Sequence, residues 1–340
     1  MRVADRSTAR NFLKYLDNAK TNYATTNERI ASGNRFTRIS DDVSAGTRAL
    51  RIRSDMAKAE EHYDNVKSIN NELTATENAM TSISEIINNV HSKSVIKALN
   101  DPTSEVGRAA IANEIKAMKD ELLQFANSKY YNRYVLGGSS AVSAPFSVGD
   151  DGRLKYNGIN VDDIQQKADG SYYYTDAAGD EQTIPMDNDI YVDIGLGIRM
   201  NESNVNSDTA FRISYSGLEI LGCGKEDNMS NNLYNLLNDI ENAIRDGDMD
   251  HLRELDTRLV EQTDIFTANL TDIGARTKFL DTMQSRLEDE IDAYQKQVSN
   301  IMGINDAEES INQTMNDYVL KAVLSMGANI IPVSLMDYLK

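Results

Sequence analysis

The stretch RIASGNRFTRISDDVSAGTRALRIRSDM, residues 29–56, lies between two helical patterns and decides where the chain turns. Before it, apolar or small residues from Ala9 to Ile30 recur at spacings of three and four, which predicts a thin heptad stripe. The polar run 34–46 ends that stripe, and a stronger one begins at Ile52. Because side-chain oxygens accept hydrogen bonds from first-turn amides, this run predicts a capped turn. The candidate capping residues are Ser40, Asp41 and Asp42.

The uneven distribution of proline and glycine predicts which segments are helical. The four prolines leave residues 1–101 and 186–331 free of proline, so long helices can run there without a break. By contrast, 12 of the 19 glycines lie between Gly137 and Gly224. That middle segment has short runs rich in Val, Ile, Tyr and Thr with turn signals between them, which predicts a small antiparallel β domain. Its clearest predicted strands are 171–175, 189–200 and 211–221.

The longest heptad stripe runs from Leu252 to Ile301 and predicts a helix of roughly 75 Å. Because helices flank the β insertion on both sides, the two ends of the chain must pair to bury their stripes. The predicted class is therefore mainly α with a β insertion: a long antiparallel helical coiled-coil rod that carries a small antiparallel β domain. The candidate rod-core residues are Leu73, Met80, Ile87, Leu280, Leu287 and Ile291.

Three domains follow from these patterns. They are a terminal helical assembly domain (1–45 plus 305–340), a helical rod domain (46–138 plus 225–304) and an inserted acidic β domain (139–224).

The two ends of the chain have stripes too thin for a stable pair of isolated helices, which indicates a partner surface. Residues 1–40 carry eight basic and three acidic side chains, although the whole chain has a net charge of −18. We expect these ends to be disordered in the free subunit and to fold on assembly. The candidate assembly residues are Phe12, Leu16, Tyr23, Leu335, Tyr338 and Leu339.

Composition excludes several classes of protein. One cysteine and three histidines cannot form an internal disulfide or a zinc site, and no apolar run is long enough for a membrane span or a signal peptide. A charge of −18 disfavours nucleic-acid binding. GLGIRM, 195–200, lacks the helix of a dinucleotide loop, and DGDMDH, 246–251, has His251 where a calcium loop needs glycine. The sequence therefore predicts no catalytic residue, no cofactor and no metal.

Four segments carry a family resemblance. Residues 29–56 resemble the N-terminal signature of the flagellin superfamily, and LTDIGARTKFLDTM, 270–283, is similar to its C-terminal core segment. Within the superfamily, YVLGGSSAVSAPF, 134–146, and SLMDYLK, 334–340, resemble the hook-associated branch found at the hook–filament junction. Flagellins typically end instead in a leucine pair.

The resemblance implies a structural protein that connects hook to filament and serves motility. It would be exported through the flagellar type III apparatus, so that it is cytoplasmic only transiently and extracellular once assembled. The implied partners are further copies of the chain in a ring or helical layer, a preceding hook-associated junction protein, flagellin or the filament cap, and a cytoplasmic export chaperone. The candidate chaperone-binding residues are Ile311, Met315, Tyr318, Ala322 and Leu335.

Two other functions fit parts of the same pattern. A flagellin that forms the filament itself would show the same terminal signatures. A coiled-coil adaptor or signalling protein would also show long heptads, but the β insertion and the paired terminal signatures disfavour it.

Overall fold

The computed structural model describes most of the chain. The described residues are 2–100, 104–138, 143–168, 170–176, 178–184, 190–197, 200–201, 204–205 and 210–330. Their long helices and small antiparallel sheets confirm the predicted class, mainly α with a β insertion. The helices are α1 (Arg2–Ser32), α2 (Val43–Asn89), α3 (Ile96–Asn100), α4 (Glu105–Ala126), α5 (Gly217–Leu221), α6 (Leu233–Asp246), α7 (Met249–Met302) and α8 (Asp306–Ile330).

The chain divides into two compact units. The terminal unit comprises Met1–Glu60 and Glu288–Lys340, and the central unit comprises Glu61–Leu287. Helices α2 and α7 contribute residues to both units. The three-domain division expected from the sequence remains a prediction.

Short polar residues and glycines set the ends of the helices. Ser104 accepts a hydrogen bond from the Gly107 amide at the start of α4, and Asn232 accepts from the Tyr234 and Asn235 amides at the start of α6. Gly247, at φ 78°, ends α6 in the left-handed conformation that glycine adopts without strain. After α2, a π-helical turn, Val90–Val95, leads into α3. There His91 Nδ1 lies 2.7 Å from Asp256 Oδ1 of α7.

Small antiparallel sheets lie between α4 and α6. Two of them have three strands, in the orders β3-β4-β5 and β6-β7-β8, and the described two-stranded sheets pair β1 with β2, β9 with β12, β10 with β11 and β13 with β14. The strands are β1 (Lys129–Tyr130), β2 (Arg133–Tyr134), β3 (Phe146–Val148), β4 (Leu154–Tyr156), β5 (Ile159–Asn160), β6 (Ile164–Gln166), β7 (Tyr172–Thr175), β8 (Glu181–Thr183), β9 (Tyr191–Val192), β10 (Met200–Asn201), β11 (Asn204–Val205), β12 (Phe211–Arg212), β13 (Lys225–Glu226) and β14 (Met229–Ser230).

The central unit has one continuous apolar core. It joins the helical stripes to the inner faces of the sheets, and Tyr156 and Phe266 are the largest of its fully buried side chains. Five of the rod-core candidates, Leu73, Met80, Ile87, Leu280 and Leu287, are buried in it. The sixth, Ile291, is half-buried and belongs to the terminal unit.

A buried ion pair joins α4 to α6 inside the central unit. Lys119 Nζ donates to Glu241 Oε2 at 2.9 Å and to Asn238 Oδ1 at 2.6 Å, and Arg245 also donates to Glu241. Burial alone would raise the pKa of Glu241, but the hydrogen bonds and charges of Lys119 and Arg245 outweigh it and hold that pKa below its usual range. Glu241 is therefore a buried carboxylate that stays ionised.

Within the described residues, no helix is long and apolar enough to cross a membrane. Those residues also contain no cluster of three or more His, Cys, Asp or Glu side chains suited to a metal ion.

Candidate functional site

The turn between α1 and α2 contains the polar residues of the stretch 29–56. Gly33, at φ 68°, ends α1, and Asp42 Oδ1 accepts a hydrogen bond from the Ala45 amide at 2.9 Å, so that Asp42 caps α2. Arg35 donates to Asp42 Oδ2 at 3.2 Å from the other side. The cap residue thus also fixes the loop that precedes it.

The other two cap candidates make contacts inside the turn. Asp41 Oδ2 accepts from the Arg38 amide at 3.4 Å, and Ser40 lies 3.5 Å from Asp41 Oδ1. The backbone of the turn approaches Gly46 closely, which favours glycine at this position of the motif. A Cβ at residue 46 would lie 3.3 Å from the Cα of Ile39. The turn therefore packs its backbone directly onto the first turn of α2.

The turn is tied to the end of α7 and the start of α8. The Arg35 amide donates to the Met302 carbonyl at 2.6 Å, and the Ile304 amide donates to the Gly33 carbonyl at 3.3 Å. Phe36 is buried against Met302 in a small cluster with two alanines, Ala45 and Ala49. This cluster is the core of the terminal unit, and it is far smaller than the core of the central unit.

Helices α1 and α8 pack antiparallel along one another through small and polar side chains. Asn316 donates to Thr26 Oγ1 at 2.8 Å, Gln313 donates to Asn27 at 2.7 Å, and Arg29 lies 3.5 Å from Glu309. Among the α1 residues whose burial is described, Thr26 and Ala19 are the buried ones. Near the far end Phe12 covers Gly327, where an added Cβ would lie 2.2 Å from the Phe12 ring. Such an interface aligns the helices but buries little apolar area.

The assembly candidates on α1 are partly buried in the α1–α8 helix pair. Phe12, Leu16 and Tyr23 are half-buried. Two neighbouring apolar residues, Leu13 and Tyr15, are 60% and 62% exposed. The heptad period selected the first three because it identifies the stripe that faces another helix. The heptad pattern did not single out Leu13 and Tyr15, although large apolar residues off the stripe are themselves a signal of further contact surface. Leu335, Tyr338 and Leu339 lie outside the described residues.

Helix α8 presents an apolar stripe on the side that α1 leaves uncovered. Ile311, Met315 and Tyr318 are 63%, 61% and 76% exposed, and Ala322 is exposed on the same face. We call these four residues the α8 stripe. Their spacing of four, three and four residues places them one above another on the helix. Leu335, the fifth chaperone candidate, lies outside the described residues.

The charged residues of α8 support the helix beside this stripe. Lys321 donates to Asp317 at 2.6 Å, four residues earlier, and this hydrogen bond raises the pKa of Lys321. Asp306, Glu308 and Glu309 occupy the first turn, where negative charge favours the helix. Helix α8 therefore combines an exposed apolar stripe with polar side chains beside it, and both are suited to association with other helices.

Comparison with known proteins finds a family match in the N-terminal part of the chain. Residues 3–141 match the model of the bacterial flagellin N-terminal helical region. The N-terminal part of the chain is similar to this flagellin family. The family resemblance drawn from residues 29–56 is thereby confirmed.

Two curated relatives are both named flagellar hook-associated protein 3. The protein of Escherichia coli is 26% identical over 160 residues, which are 47% of this chain and 49% of the relative. The protein of Salmonella typhimurium is 23% identical over 147 residues, or 43% of this chain and 46% of the relative. The aligned region thus spans about half the length of the curated relatives.

A solved structure shares the fold. It is described as a flagellar hook-associated protein from Vibrio parahaemolyticus, and it superposes with a TM-score of 0.53 over 77% of this chain and 100% of its own, at 15% identity. The match supports the helical architecture with its small sheets.

Proposed function

We propose that this chain is a structural protein of the bacterial flagellum that joins the hook to the filament and assembles through its terminal unit. The observation that carries the proposal is the pairing of α1 with α8, which leaves large apolar side chains exposed on both helices: Leu13, Tyr15, Ile311, Met315 and Tyr318. Large exposed apolar residues on a pair of helices are typical of surfaces that other proteins cover. The relatives named hook-associated protein 3 support the junction as the location.

The partners belong to the same proposal. Further copies of the chain form a ring or helical layer, a preceding hook-associated junction protein lies on one side, and flagellin or the filament cap lies on the other. The assembled protein is extracellular and carries load rather than catalysing a reaction. The half-buried residues Phe12, Leu16 and Tyr23 shape the helix pair, and Leu335, Tyr338 and Leu339 contribute further contacts.

Before assembly the chain is exported through the flagellar type III apparatus, and a cytoplasmic chaperone covers part of it. We propose the α8 stripe, together with Leu335, as the surface that the chaperone binds. Its exposed residues repeat at helical spacing, so that an amphipathic groove of another protein can hold them in one line.

Deletion of the gene tests the location. We expect the deletion strain to make hooks without filaments and to release flagellin monomers into the medium, and we expect the wild-type gene on a plasmid to restore filaments. Normal filaments in the deletion strain would refute the junction proposal. If the chain proved to be the major protein of sheared filaments, the flagellin alternative would be correct.

Single substitutions separate export from assembly. Tyr318→Lys and Met315→Lys place a charge on the α8 stripe, whereas Thr314→Lys places the same charge at an exposed polar position of α8. If the stripe binds the chaperone, the first two variants reach the medium in reduced amounts, while the control is exported normally. Leu13→Lys and Tyr15→Lys, with Asp17→Lys as the control on α1, test assembly: the exported protein then accumulates in the medium and filaments are absent.

A further inference from the structure

Helix α2 exposes apolar side chains on the face that points away from α7 in the terminal unit. Its inner face is set by Ala45 and Ala49, which pack in the small cluster with Met302 of α7. Val43 and Leu50 lie about 100–160° around the helix from these alanines, and they are 63% and 50% exposed. We call this side of α2 its outward face.

Unpaired positive charge accompanies these apolar residues. Arg48, Arg51 and Arg53 are exposed, and none of them forms an ion pair within the part of the chain that the structure describes. Lys58 of the same helix, by contrast, lies 3.8 Å from Asp55. Arg51 follows Leu50 directly and lies on the outward face, whereas the other two arginines lie nearer the inner face. The outward face thus presents a cation that its own chain does not neutralise.

The outward face of α7 carries the opposite charge. Its inner face is set by Val298 and Ile301, which pack against the same cluster. Asp289 and Asp292 lie about 120–180° around the helix from both residues. They are exposed, as is Ala293, and neither carboxylate forms an ion pair with another described residue. This face therefore offers two free carboxylates beside a small apolar residue.

The two outward faces cannot meet within one chain. The outward faces of two packed helices lie at opposite edges of the pair, so Arg51 extends away from Asp292 of its own chain. They also lie at different levels, because Ala49 packs with Val298, and Asp292 comes six residues, or about 9 Å, before Val298. A neighbour that brings the faces together is therefore displaced by on the order of 10 Å along the helix axis.

We propose that the outward face of α2 in one copy of the chain packs against the outward face of α7 in the next copy, with Arg51 between Asp289 and Asp292 and Leu50 against Ala293. Complementary charge and an apolar contact are combined in this pairing. The contact joins two different surfaces, so it is heterologous and can repeat from copy to copy. It rests on the proposed function because it needs assembled copies, and its axial displacement selects a helical layer over a flat ring.

Charge reversal in the full chain tests this contact by rescue. Arg51→Glu brings like charges together, and Asp289→Lys with Asp292→Lys does the same from the other side. We expect each change to lower the amount of chain on isolated hooks and filaments about tenfold or more. The triple variant should return to within about twofold of the wild type, since it restores opposite charges. Arg53→Glu makes the same charge change nearer the inner face, so this matched control should assemble normally.

Crosslinking tests which faces meet. All chains carry Cys223→Ser, which removes the native cysteine. Leu50→Cys and Ala293→Cys are placed on separate chains that one strain produces together, and its isolated flagella are treated with a short bis-maleimide, which joins two thiols without oxidation. We expect crosslinked dimers only when both chains are present. Dimers formed by the Leu50→Cys chain alone would show a symmetric contact between two α2 helices and would overturn the proposal.

The wild type separates this proposal from the junction role. Export of each variant into the medium is measured in parallel, so that assembly is compared among chains that leave the cell equally. If the wild type is incorporated and Arg51→Glu is incorporated equally well, the interface is wrong and the junction role stands. A triple variant as deficient as Arg51→Glu has the same meaning. If the wild type itself is absent from hooks and filaments, the assembly role fails and the interface fails with it.

Discussion

The central and terminal units are built from the same long helices, yet they bury different kinds of side chain. In the central unit the stripes of α2 and α7 bury Leu73, Met80 and Leu280 in a continuous core. In the terminal unit α1 and α8 meet through Ala19, Thr26 and a glycine, and large apolar residues of both helices, such as Leu13 and Tyr318, stay exposed. Because stability follows the apolar area removed from water, the central unit can be stable by itself, whereas the terminal unit gains stability when another surface covers it.

The same substitution in each unit should give the largest contrast. Leu280→Ala removes a fully buried side chain, and we expect it to lower the free energy of unfolding of the central unit by about 4 kcal/mol. Leu16→Ala, at a half-buried position of α1, should leave that transition unchanged and speed amide exchange only in α1 and α8. Urea unfolding with residue-resolved exchange measures both. A shift of the central transition by Leu16→Ala would mean that the two units unfold together.

The buried ion pair between Lys119 and Glu241 gives a second test, which concerns the stability of the central unit only. Lys119→Met leaves Glu241 buried with Arg245 as its remaining partner, and we expect a loss of about 3 kcal/mol. Lys119→Met combined with Glu241→Leu should recover most of that loss, because the double variant leaves no unpaired charge at this pair. If the double variant were as unstable as the single one, packing of the lysine stem would account for the loss.

The low pKa of Glu241 also gives the pair a pH dependence. A carboxyl whose pKa is lower in the folded state contributes stability above its unfolded value of 4.5, and that stability disappears as the pH falls through the folded pKa. Glu241→Gln should therefore be less stable than the wild type at neutral pH, and the difference should shrink on acidification below about pH 4. Urea midpoints measured across this range test the sign.

Two glycines in helix interiors should respond in opposite directions to alanine. At Gly274 of α7 an added Cβ meets only the end of the flexible Glu77 side chain at 3.3 Å, so Gly274→Ala should stabilise the central unit by about 0.5–1 kcal/mol through helix propensity. At Gly327 of α8 the Cβ would overlap the Phe12 ring, so Gly327→Ala should destabilise the α1–α8 pair by about 1–2 kcal/mol.

Amide exchange of α1 residues 8–19 measures the Gly327 effect. The compensating variant Gly327→Ala with Phe12→Leu should slow that exchange again, since leucine frees the space that the ring occupies. Unchanged exchange in Gly327→Ala would mean that Phe12 does not rest on this glycine in solution.

Sequence patterns predicted the features that depend on residues close together in the chain, namely the long helices and the turn between α1 and α2. The heptad stripes predicted the long helices, and the polar run 34–46 predicted a turn whose Asp42 accepts the Ala45 amide. The predicted strand 211–221 was wrong over Gly217–Leu221, which is a short helix: Ser216 accepts the Leu218 amide, and Gly222, at φ 81°, ends it. Alternation of apolar residues over so short a run fits a strand and a helical turn equally well.

Long-range packing could not be read from the sequence. Nothing near Gly327 indicates that a ring 315 positions earlier covers it, and nothing near Lys119 indicates a buried carboxylate on α6. The exposure of Leu13 and Tyr15 likewise depends on where α8 lies. The role of the terminal residues in assembly and chaperone binding remains a prediction, as does their disorder in the free subunit.

The cap of α2 gives the smallest expected loss of stability, and it tests how the turn contributes to the terminal unit. Asp42→Ala removes the acceptor of the Ala45 amide and the partner of Arg35, and we expect a loss of about 1 kcal/mol, confined to the terminal unit. Asp42→Asn keeps the cap but not the charge, so it should retain most of the stability, and Asp41→Ala is the matched control within the turn. Exchange rates of the first-turn amides of α2 report the result. Equal losses in Asp42→Ala and Asp42→Asn would show that the ion pair with Arg35, rather than the cap, holds the turn against α2.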